Sequence, residues 1–284
     1  MKDFLYRRLF LSIVICCFAP TILAQKTPKF KVIAFFTGKS DMAHISYVNE
    51  ANHWLPEVAK KNNFVYDTTS NWTNMNAEFL AKYQVVLFLD TRPEDAKQRV
   101  AFENYMKNGG AWMGFHFSAF ALTPSTFTQN WDWYHNEFLG SGQYSGNTWR
   151  PTSATLNVNR NHEATKNLPK SFKSQPNEWY KWENDLRKNP NITVLLSIDS
   201  SSFPLGTGPK PHEIWNNGDY PVVWSNKHYK MIYVNMGHND MDYEHKYGKK
   251  TKALSYTFDN SIQNRMIIDG ILWLGNSKKA KVKK

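Results

Sequence analysis

Three histidines follow predicted buried strands, and they are the side chains of this chain best suited to chemistry. His44 comes after the first strand, His116 after the fourth and His238 after the last. An imidazole titrates near neutral pH, so each of them is able to give or take a proton during catalysis. The plain alternative is a histidine whose nitrogens bond to backbone groups beneath a loop. We expect His116 to act as an acid or base, with His238 beside it.

Glu178 is the predicted carboxylate partner of His116 in catalysis. It opens the segment 178–183, in which charged and aromatic residues alternate as in an edge strand or a loop near a site. Aromatic surroundings disfavour the charged form of a carboxyl group, so we expect a raised pKa for Glu178. The alternative that stays open is a salt bridge between Glu178 and a nearby lysine or arginine.

The same histidines are candidate ligands for a divalent metal ion. Neutral imidazole suits zinc and similar ions, and Glu178 or Asp240 would add a carboxylate ligand. The histidine set would be His44, His116 and His238, but no two of them show a local ligand spacing such as His-x-x-x-His. The sequence therefore leaves two alternatives, a zinc-like metal at this site or acid–base chemistry without a metal.

Aromatic side chains are abundant, at 15% of the chain with 11 tryptophans, and many stand next to polar residues. Aromatic faces flanked by polar groups suit the C–H faces of carbohydrates, as they suit any amphipathic ligand. We therefore expect a small-molecule carbohydrate as the partner. Since most large aromatic residues lie in protein cores, we expect roughly half of the candidate tryptophans, Trp131, Trp133, Trp179 and Trp182, at the site. The residues predicted to bind the substrate are His44, Asp90, Trp131, Trp133 and Tyr180.

The elements that would position these residues alternate between strand and helix. The alternation predicts an α/β fold with a doubly wound, mostly parallel sheet flanked by helices, as in flavodoxin-like proteins. Because the carboxyl ends of parallel strands meet at one edge, the polar residues after these strands should converge there. Apolar or alternating runs predict strands at residues 31–37, 64–68, 85–89, 111–115, 154–159, 192–198, 220–225 and 230–235. Predicted helices cover residues 47–62, 76–82, 93–108, 131–140 and 258–274.

The first 24 residues have the pattern of a secretory signal peptide. A positively charged start precedes an apolar run at residues 9–18, and a small residue stands before Gln25. The apolar run is too short for a membrane span, so we expect cleavage and a periplasmic or secreted protein. Both cysteines of the chain, Cys16 and Cys17, would leave with the signal. The mature chain then has no thiol, which excludes a cysteine nucleophile and a disulfide framework.

The positive charge of the chain is concentrated near its carboxyl end. The formal net charge is +11, and residues 277–284 form a basic tail after a single predicted domain at residues 25–276. Basic stretches bind nucleic acid or anionic surfaces in some proteins, but a solvated tail is the simpler interpretation, and we expect no nucleic-acid partner. The acidic run 240–245 lacks the spacing of a calcium loop and is expected to be solvated.

The order of several short motifs resembles the ThuA-like (trehalose-utilisation) family. The central motif at residues 109–116 is similar to the family's glycine-rich signature, which ends in glycine, an aliphatic residue and histidine. This chain departs from the pattern at Ala111, Glu163 and Asn177, where the family has glycine, proline and an acidic residue. The other matching segments are residues 131–140, 162–169, 177–180, 221–224, 237–238 and 272–275.

The resemblance implies a class I glutamine-amidotransferase-like fold and a link to sugar utilisation. In that fold the turn after the central strand presents the nucleophile, and here it presents His116. We expect an exported enzyme that performs a hydrolase- or lyase-type step on a glycoside or an oxidised (keto) sugar, and not a glutamine amidotransferase. The alternative is a sugar-binding protein without catalysis on the same fold. A weaker third interpretation is a surface partner bound through the tail 277–284.

Overall fold

The computed structural model describes residues 27–39, 41–122, 130–148, 151–202, 215, 218–239 and 255–276. Three of the sequence predictions fall on other residues. The signal peptide at 1–24, the acidic run 240–245 and the basic tail 277–284 therefore lie outside the described residues. No helix in the described ranges is long and apolar enough to cross a membrane.

A nine-stranded sheet forms the centre of the described structure. Its strand order is β2-β1-β3-β4-β11-β10-β9-β6-β7, and a separate two-stranded sheet pairs β5 with β8. The strands are β1 Lys31–Phe35, β2 Val65–Thr69, β3 Val85–Phe88, β4 Ala111–Phe115, β5 Tyr144–Asn147, β6 Thr155–Val158, β7 Ser171–Lys173, β8 Tyr180–Trp182, β9 Ile192–Ile198, β10 Tyr220–Asn226 and β11 Lys230–Val234.

The sheet has a parallel half and an antiparallel half. Strands β2, β1, β3, β4 and β11 pair in parallel. From β11 onward the pairings with β10, β9, β6 and β7 are antiparallel. The predicted sheet is thus confirmed in its parallel, doubly wound part and extended by an antiparallel part in which the hairpin β10–β11 is the junction.

Helices cover both faces of the parallel half. The helices are α1 Met42–Asn62, α2 Ala77–Leu80, α3 Ala96–Lys107 and α4 Ser261–Gly275. Strand β1 shows why both faces are covered, because its residues alternate between the two sides of the sheet. Val32 and Ala34 pack in the core cluster that contains residues of α1 and α4. Ile33 and Phe35 pack in the cluster that contains residues of α2 and α3. This arrangement confirms the predicted α/β fold class.

Helix α1 begins five residues earlier than the sequence predicts. Asp41 is its N-cap, and the Asp41 carboxylate accepts a hydrogen bond of 2.8 Å from the backbone N–H of Ala43. A capping carboxylate satisfies one of the free N–H groups of the first turn and favours the positive end of the helix dipole. His44 consequently lies in the first turn of α1, not in a loop, and it faces the end of the sheet where β4 and β11 finish.

Two glycines have a structural role near β4, one before the strand and one inside it. Gly109 has φ +83°, the left-handed conformation that ends α3. Gly114 lies inside β4, where an added Cβ would come within 1.9 Å of the Trp112 ring and 2.6 Å of the Ser118 hydroxyl. A side chain at residue 114 would therefore displace the turn that follows β4, which carries His116.

Candidate functional site

His116 begins the short helical turn that follows β4 directly, and its backbone is strained. Its φ is +40°, a conformation that side chains other than glycine rarely adopt. The Tyr233 hydroxyl donates a hydrogen bond of 2.8 Å to the backbone carbonyl of His116. Such strain persists only where the surrounding structure holds it, and here it aims the imidazole at the carboxyl ends of β4 and β11.

A buried arginine holds the rest of this turn. Arg92 follows β3 and is 1% exposed. Its guanidinium donates 3.0 Å to the backbone carbonyl of Phe117 and also donates to that of Phe120. Burial lowers the pKa of Arg92 to about 10, so the group stays charged at neutral pH. The loop after β3 thus holds the turn after β4, its neighbour in the sheet.

The His116 ring bridges two polar side chains from distant parts of the chain. Its Nε2 lies 3.2 Å from Oε2 of Glu178, and its Nδ1 lies 3.3 Å from Oδ1 of Asn235. The amide oxygen of Asn235 accepts a hydrogen bond from His116 in the tautomer that carries its hydrogen on Nδ1. The Nε2 atom is then free to take a proton from Glu178 or to return one.

Glu178 is shared between His116 and His238. The Asn147 amide donates to Oε1 of Glu178, while Oε2 lies 3.9 Å from Nδ1 of His238. The other nitrogen of His238, Nε2, lies 3.8 Å from Oδ2 of Asp41. The His116 side chain is 1% exposed, whereas those of Glu178 and His238 are 12% and 13% exposed. A ligand would therefore reach Glu178 and His238 first, with His116 behind them.

Asn177 fastens the strand end that carries His238 to the segment that carries Glu178. The Asn177 amide donates 2.8 Å to the carbonyl of Glu178 and also donates to the carbonyl of Asn235. Its oxygen accepts from the backbone N–H groups of Gly237 at 3.0 Å and His238 at 3.2 Å. An acidic side chain has no N–H to donate, so an acid at this position would not make the two contacts that the Asn177 amide donates.

Burial and mutual contacts shift the pKa values of these groups. Burial lowers the pKa of His116, and burial together with the neighbouring His238 ring lowers that of His44. Burial alone would raise the pKa of Glu178, but its hydrogen bond with His116 and the nearby His238 outweigh this effect and lower it. The raised pKa predicted for Glu178 is therefore wrong, because the sequence shows the aromatic neighbours but not the two imidazoles. Contact with His238 likewise lowers the pKa of Asp41.

Three of the predicted residues bring ligand-type atoms together. Donor atoms of His116, Glu178 and His238 all lie within 4.8 Å of one another. His44 stands beside this group: its ring centre is 4.9 Å from that of His238 and 5.7 Å from that of His116. Among the described residues, the structure therefore favours Glu178 over His44 as the third member of a metal-ligand set.

Of the predicted substrate-binding residues, Tyr180 and His44 lie at the site and Asp90 does not contact it. The Tyr180 ring centre is 4.2 Å from that of His116. Asp90 is buried, and its two carboxylate oxygens accept the backbone N–H groups of Thr37 at 2.8 Å and Gly38 at 2.5 Å. Asp90 therefore anchors the loop after β1, and we no longer assign it a substrate contact.

Trp131 belongs to the core cluster on the α3 face of the sheet, and the half-buried Trp133 packs against that cluster. Trp131 stacks on Tyr134 with ring centres 5.0 Å apart, and Trp133 stacks on Phe138 at 5.2 Å. The segment Trp133–Phe138 is a π-helix whose aromatic side chains fill the space over β4. The prediction that these two tryptophans line the substrate site is corrected accordingly, because they help to bury the sheet.

Sequence reasoning missed an aromatic group that does adjoin the site. Phe117, Phe120 and Tyr144 are half-buried. Phe117 stacks on Phe120 with ring centres 4.7 Å apart, and Phe120 lies 5.0 Å from Tyr144. The Phe117 ring is also 5.2 Å from that of His44. The available signal was the position of Phe117 and Phe120 on the same turn as His116, directly after β4.

Three polar partners of the site also went unassigned. Asp41, Asn147 and Asn235 contact His238, Glu178 and His116, respectively. Asp41 had a local signal, because it precedes the helical pattern of α1 as an N-cap residue does. Asn147 and Asn235 had none, because isolated asparagines are ordinary in loops and at strand ends.

Comparison with known proteins assigns the chain to a family. The family profile of ThuA, described as trehalose utilisation, matches residues 32–252. A ThuA-like protein from Bacteroides uniformis ATCC 8492 has a similar structure with a TM-score of 0.76 and 35% sequence identity, over 89% of this chain and 95% of that one. A ThuA-like protein from Parabacteroides merdae ATCC 43184 shares the fold, with a TM-score of 0.58 and 16% identity, over 88% and 91%. No curated protein matches the chain.

The profile covers most of the chain, and the Bacteroides uniformis protein is similar over nearly its whole length. The matched range contains His44, His116, Glu178 and His238. The resemblance drawn from the short motifs is thereby confirmed. The chain belongs to the ThuA (trehalose utilisation) family.

Proposed function

We propose that this protein is an exported enzyme of carbohydrate utilisation that performs a hydrolysis or elimination step on a glycoside or keto sugar. The observation that carries the proposal is the buried contact of 3.2 Å between Nε2 of His116 and Oε2 of Glu178. Membership of the ThuA family supports an association with trehalose utilisation. Trehalose and related glycosides are accordingly the first substrates to test.

His116 and Glu178 act in this proposal as one acid–base unit. The hydrogen on Nδ1 of His116 is held by Asn235, so a second proton at Nε2 is exchanged with Glu178. Glu178 is the more exposed of the two and passes that proton to or from the sugar. A general acid or base of this kind contributes about 10²–10⁴-fold to a rate. His238, at 3.9 Å from the same carboxylate oxygen, stabilises the charge that develops there.

The aromatic group of Phe117, Phe120 and Tyr144 supports a carbohydrate as the ligand. Its rings are half-buried, and the Phe117 ring adjoins that of His44 beside the acid–base unit. Aromatic faces pack well against the C–H faces of sugars, while polar groups at the edge bind hydroxyls. This group takes the place that Trp131 and Trp133 had in the sequence-based prediction.

Export is part of the proposal and rests on the amino-terminal sequence. A charged start, an apolar run at residues 9–18 and a small residue before Gln25 are the parts of a cleavable signal. Mass spectrometry of the protein recovered from the periplasm of its own cells tests this directly. We expect a chain that starts at Gln25, and an uncleaved chain in the cytoplasm would contradict it.

The enzymatic proposal is tested by a search for product with matched variants. The mature chain is incubated with trehalose, other glucosides and their keto derivatives, and products are identified by NMR and mass spectrometry. We expect product with the native protein and with His53→Gln, a control in an exposed part of α1. We expect none with Glu178→Gln, whose side chain has nearly the same shape. Binding of a sugar by the native protein without any product would instead indicate the alternative, a sugar-binding protein.

A further inference from the structure

We propose that His116, Glu178 and His238 also bind one divalent transition-metal ion of the zinc class. The inference goes beyond the proposed function but concerns the same site, because the ion would occupy the place of the exchanged proton. Two imidazoles and one carboxylate form a ligand set that zinc and similar ions use in proteins, with further positions left for water or substrate.

The three donor atoms have nearly the spacing that such an ion requires. Nε2 of His116 and Nδ1 of His238 lie 3.2 Å and 3.9 Å from Oε2 of Glu178, and the three residues each offer one donor atom within 4.8 Å of the other two. Ligands about 2.0–2.1 Å from a tetrahedral ion lie roughly 3.3 Å apart. The Glu178–His116 distance already matches, whereas His238 must move inward to complete the set.

The outer partners of the three ligands are also in place. Nδ1 of His116 faces the Asn235 amide oxygen, and Oε1 of Glu178 accepts from the Asn147 amide. Nε2 of His238 faces the Asp41 carboxylate at 3.8 Å. Histidines that bind metals nearly always donate their second ring N–H to a carbonyl or carboxylate, which fixes the tautomer and the ring orientation. Each inner residue therefore has one atom engaged outward and its other donor atom turned to the shared centre.

The contact between His116 and Glu178 can accommodate a positive group between the two atoms. In the tautomer that carries its hydrogen on Nδ1, Nε2 of His116 presents a lone pair to a carboxylate oxygen 3.2 Å away, whereas in the other tautomer Nε2 donates a hydrogen bond to that oxygen. Two lone pairs at this distance repel each other unless a proton or a cation lies between them. A metal ion at this point would bind both atoms as ligands, with His238 as the third ligand.

Metal binding and proton exchange at His116 are therefore mutually exclusive. An ion bound to Nε2 of His116 removes the lone pair that the acid–base unit needs. In the metal-bound form a sugar hydroxyl or a water molecule would complete the coordination through the side that Glu178 and His238 expose. We thus expect added zinc to suppress any turnover that depends on proton transfer through His116.

The test uses zinc chloride alone and the mature protein, first freed of metal with a chelator that is then removed. Isothermal titration calorimetry should show one zinc ion per chain, and bound zinc should raise the melting temperature. His238→Gln and Glu178→Gln should each weaken zinc binding by at least about 100-fold, since loss of an outer partner alone weakens it 10–100-fold. His53→Gln should bind as the native protein does. Magnesium chloride should bind far more weakly, because magnesium prefers oxygen ligands.

Two outcomes would overturn the inference. One is the absence of zinc binding to the native protein, and the other is zinc binding that persists unchanged in both folded site variants. Circular dichroism and melting curves show whether the variants fold. The metal titration needs no substrate, so a failure to find sugar turnover does not affect it. Conversely, sugar turnover that disappears in Glu178→Gln would support the proposed function even if zinc does not bind.

Discussion

Replacing Asn177 with alanine should destabilise the protein and separate the two segments that build the site. Asn177 is 2% exposed, and its side chain makes four hydrogen bonds to backbone groups of Glu178, Asn235, Gly237 and His238. Alanine removes all four and leaves buried N–H and carbonyl groups without those partners. The backbone pairing of residue 177 with Thr152 does not depend on the side chain.

The size of the effect follows from the number of contacts. A hydrogen bond contributes about 1 kcal/mol net to stability, so four of them give about 4 kcal/mol. For a chain of this size each kcal/mol shifts the melting temperature by about 2–4 °C. The expected fall for Asn177→Ala is therefore roughly 8–16 °C.

The assay is thermal unfolding followed by circular dichroism, with Asn157→Ala as the matched control. Asn157 lies in β6 with an exposed side chain, and its replacement should change stability by less than about 0.5 kcal/mol. Zinc affinity of Asn177→Ala, measured below its melting temperature, should also fall, because His238 loses its anchor. A fall in melting temperature no larger than that of Asn157→Ala would refute the role assigned to Asn177.

Three further predictions concern the support of the site. Asp90→Asn should destabilise the protein by about 1–3 kcal/mol in urea unfolding, because an amide N–H would then oppose a backbone N–H of the loop after β1. Burial lowers the pKa of His44 from 6.5. Below that pH the unfolded chain therefore binds a proton at His44 that the folded chain does not bind. With a chelator present, the free energy of unfolding should therefore fall as the pH drops below 6.5, and less steeply in His44→Gln. Gly114→Ala should yield little folded protein on expression, because its Cβ would clash with the Trp112 ring.

The parallel half of the fold was predictable because its signals are local. Each central strand is a short apolar run, and β4 spans residues Ala111–Phe115 as predicted. Gly109 ends α3 in the left-handed conformation, and a glycine just after a helix is a stop signal that a single residue provides. The strands β5 and β7 were not predicted, because they are short and mix polar with apolar residues. Their pairing depends on neighbours that lie far away in the sequence.

The site was predictable only in part, for a related reason. A polar residue directly after a buried parallel strand reaches the edge of the sheet, and this rule found His116. The partners of His116 depend on packing across the chain: Glu178 is 62 positions away and Asn235 is 119 positions away. Aromatic composition did not distinguish Trp131 and Trp133, which pack in or against the core cluster on the α3 face, from the rings on the turn that carries His116.

The most direct test of the central claim compares sugar turnover and sugar binding in the native protein and in His116→Gln. Once the product search has identified a substrate, both quantities are measured on metal-free protein. We predict that His116→Gln binds the sugar within about threefold of the native affinity while its turnover falls by about 10²–10⁴-fold, the contribution of a general acid or base. Unchanged turnover in the folded His116→Gln variant would contradict the acid–base role of His116 with Glu178.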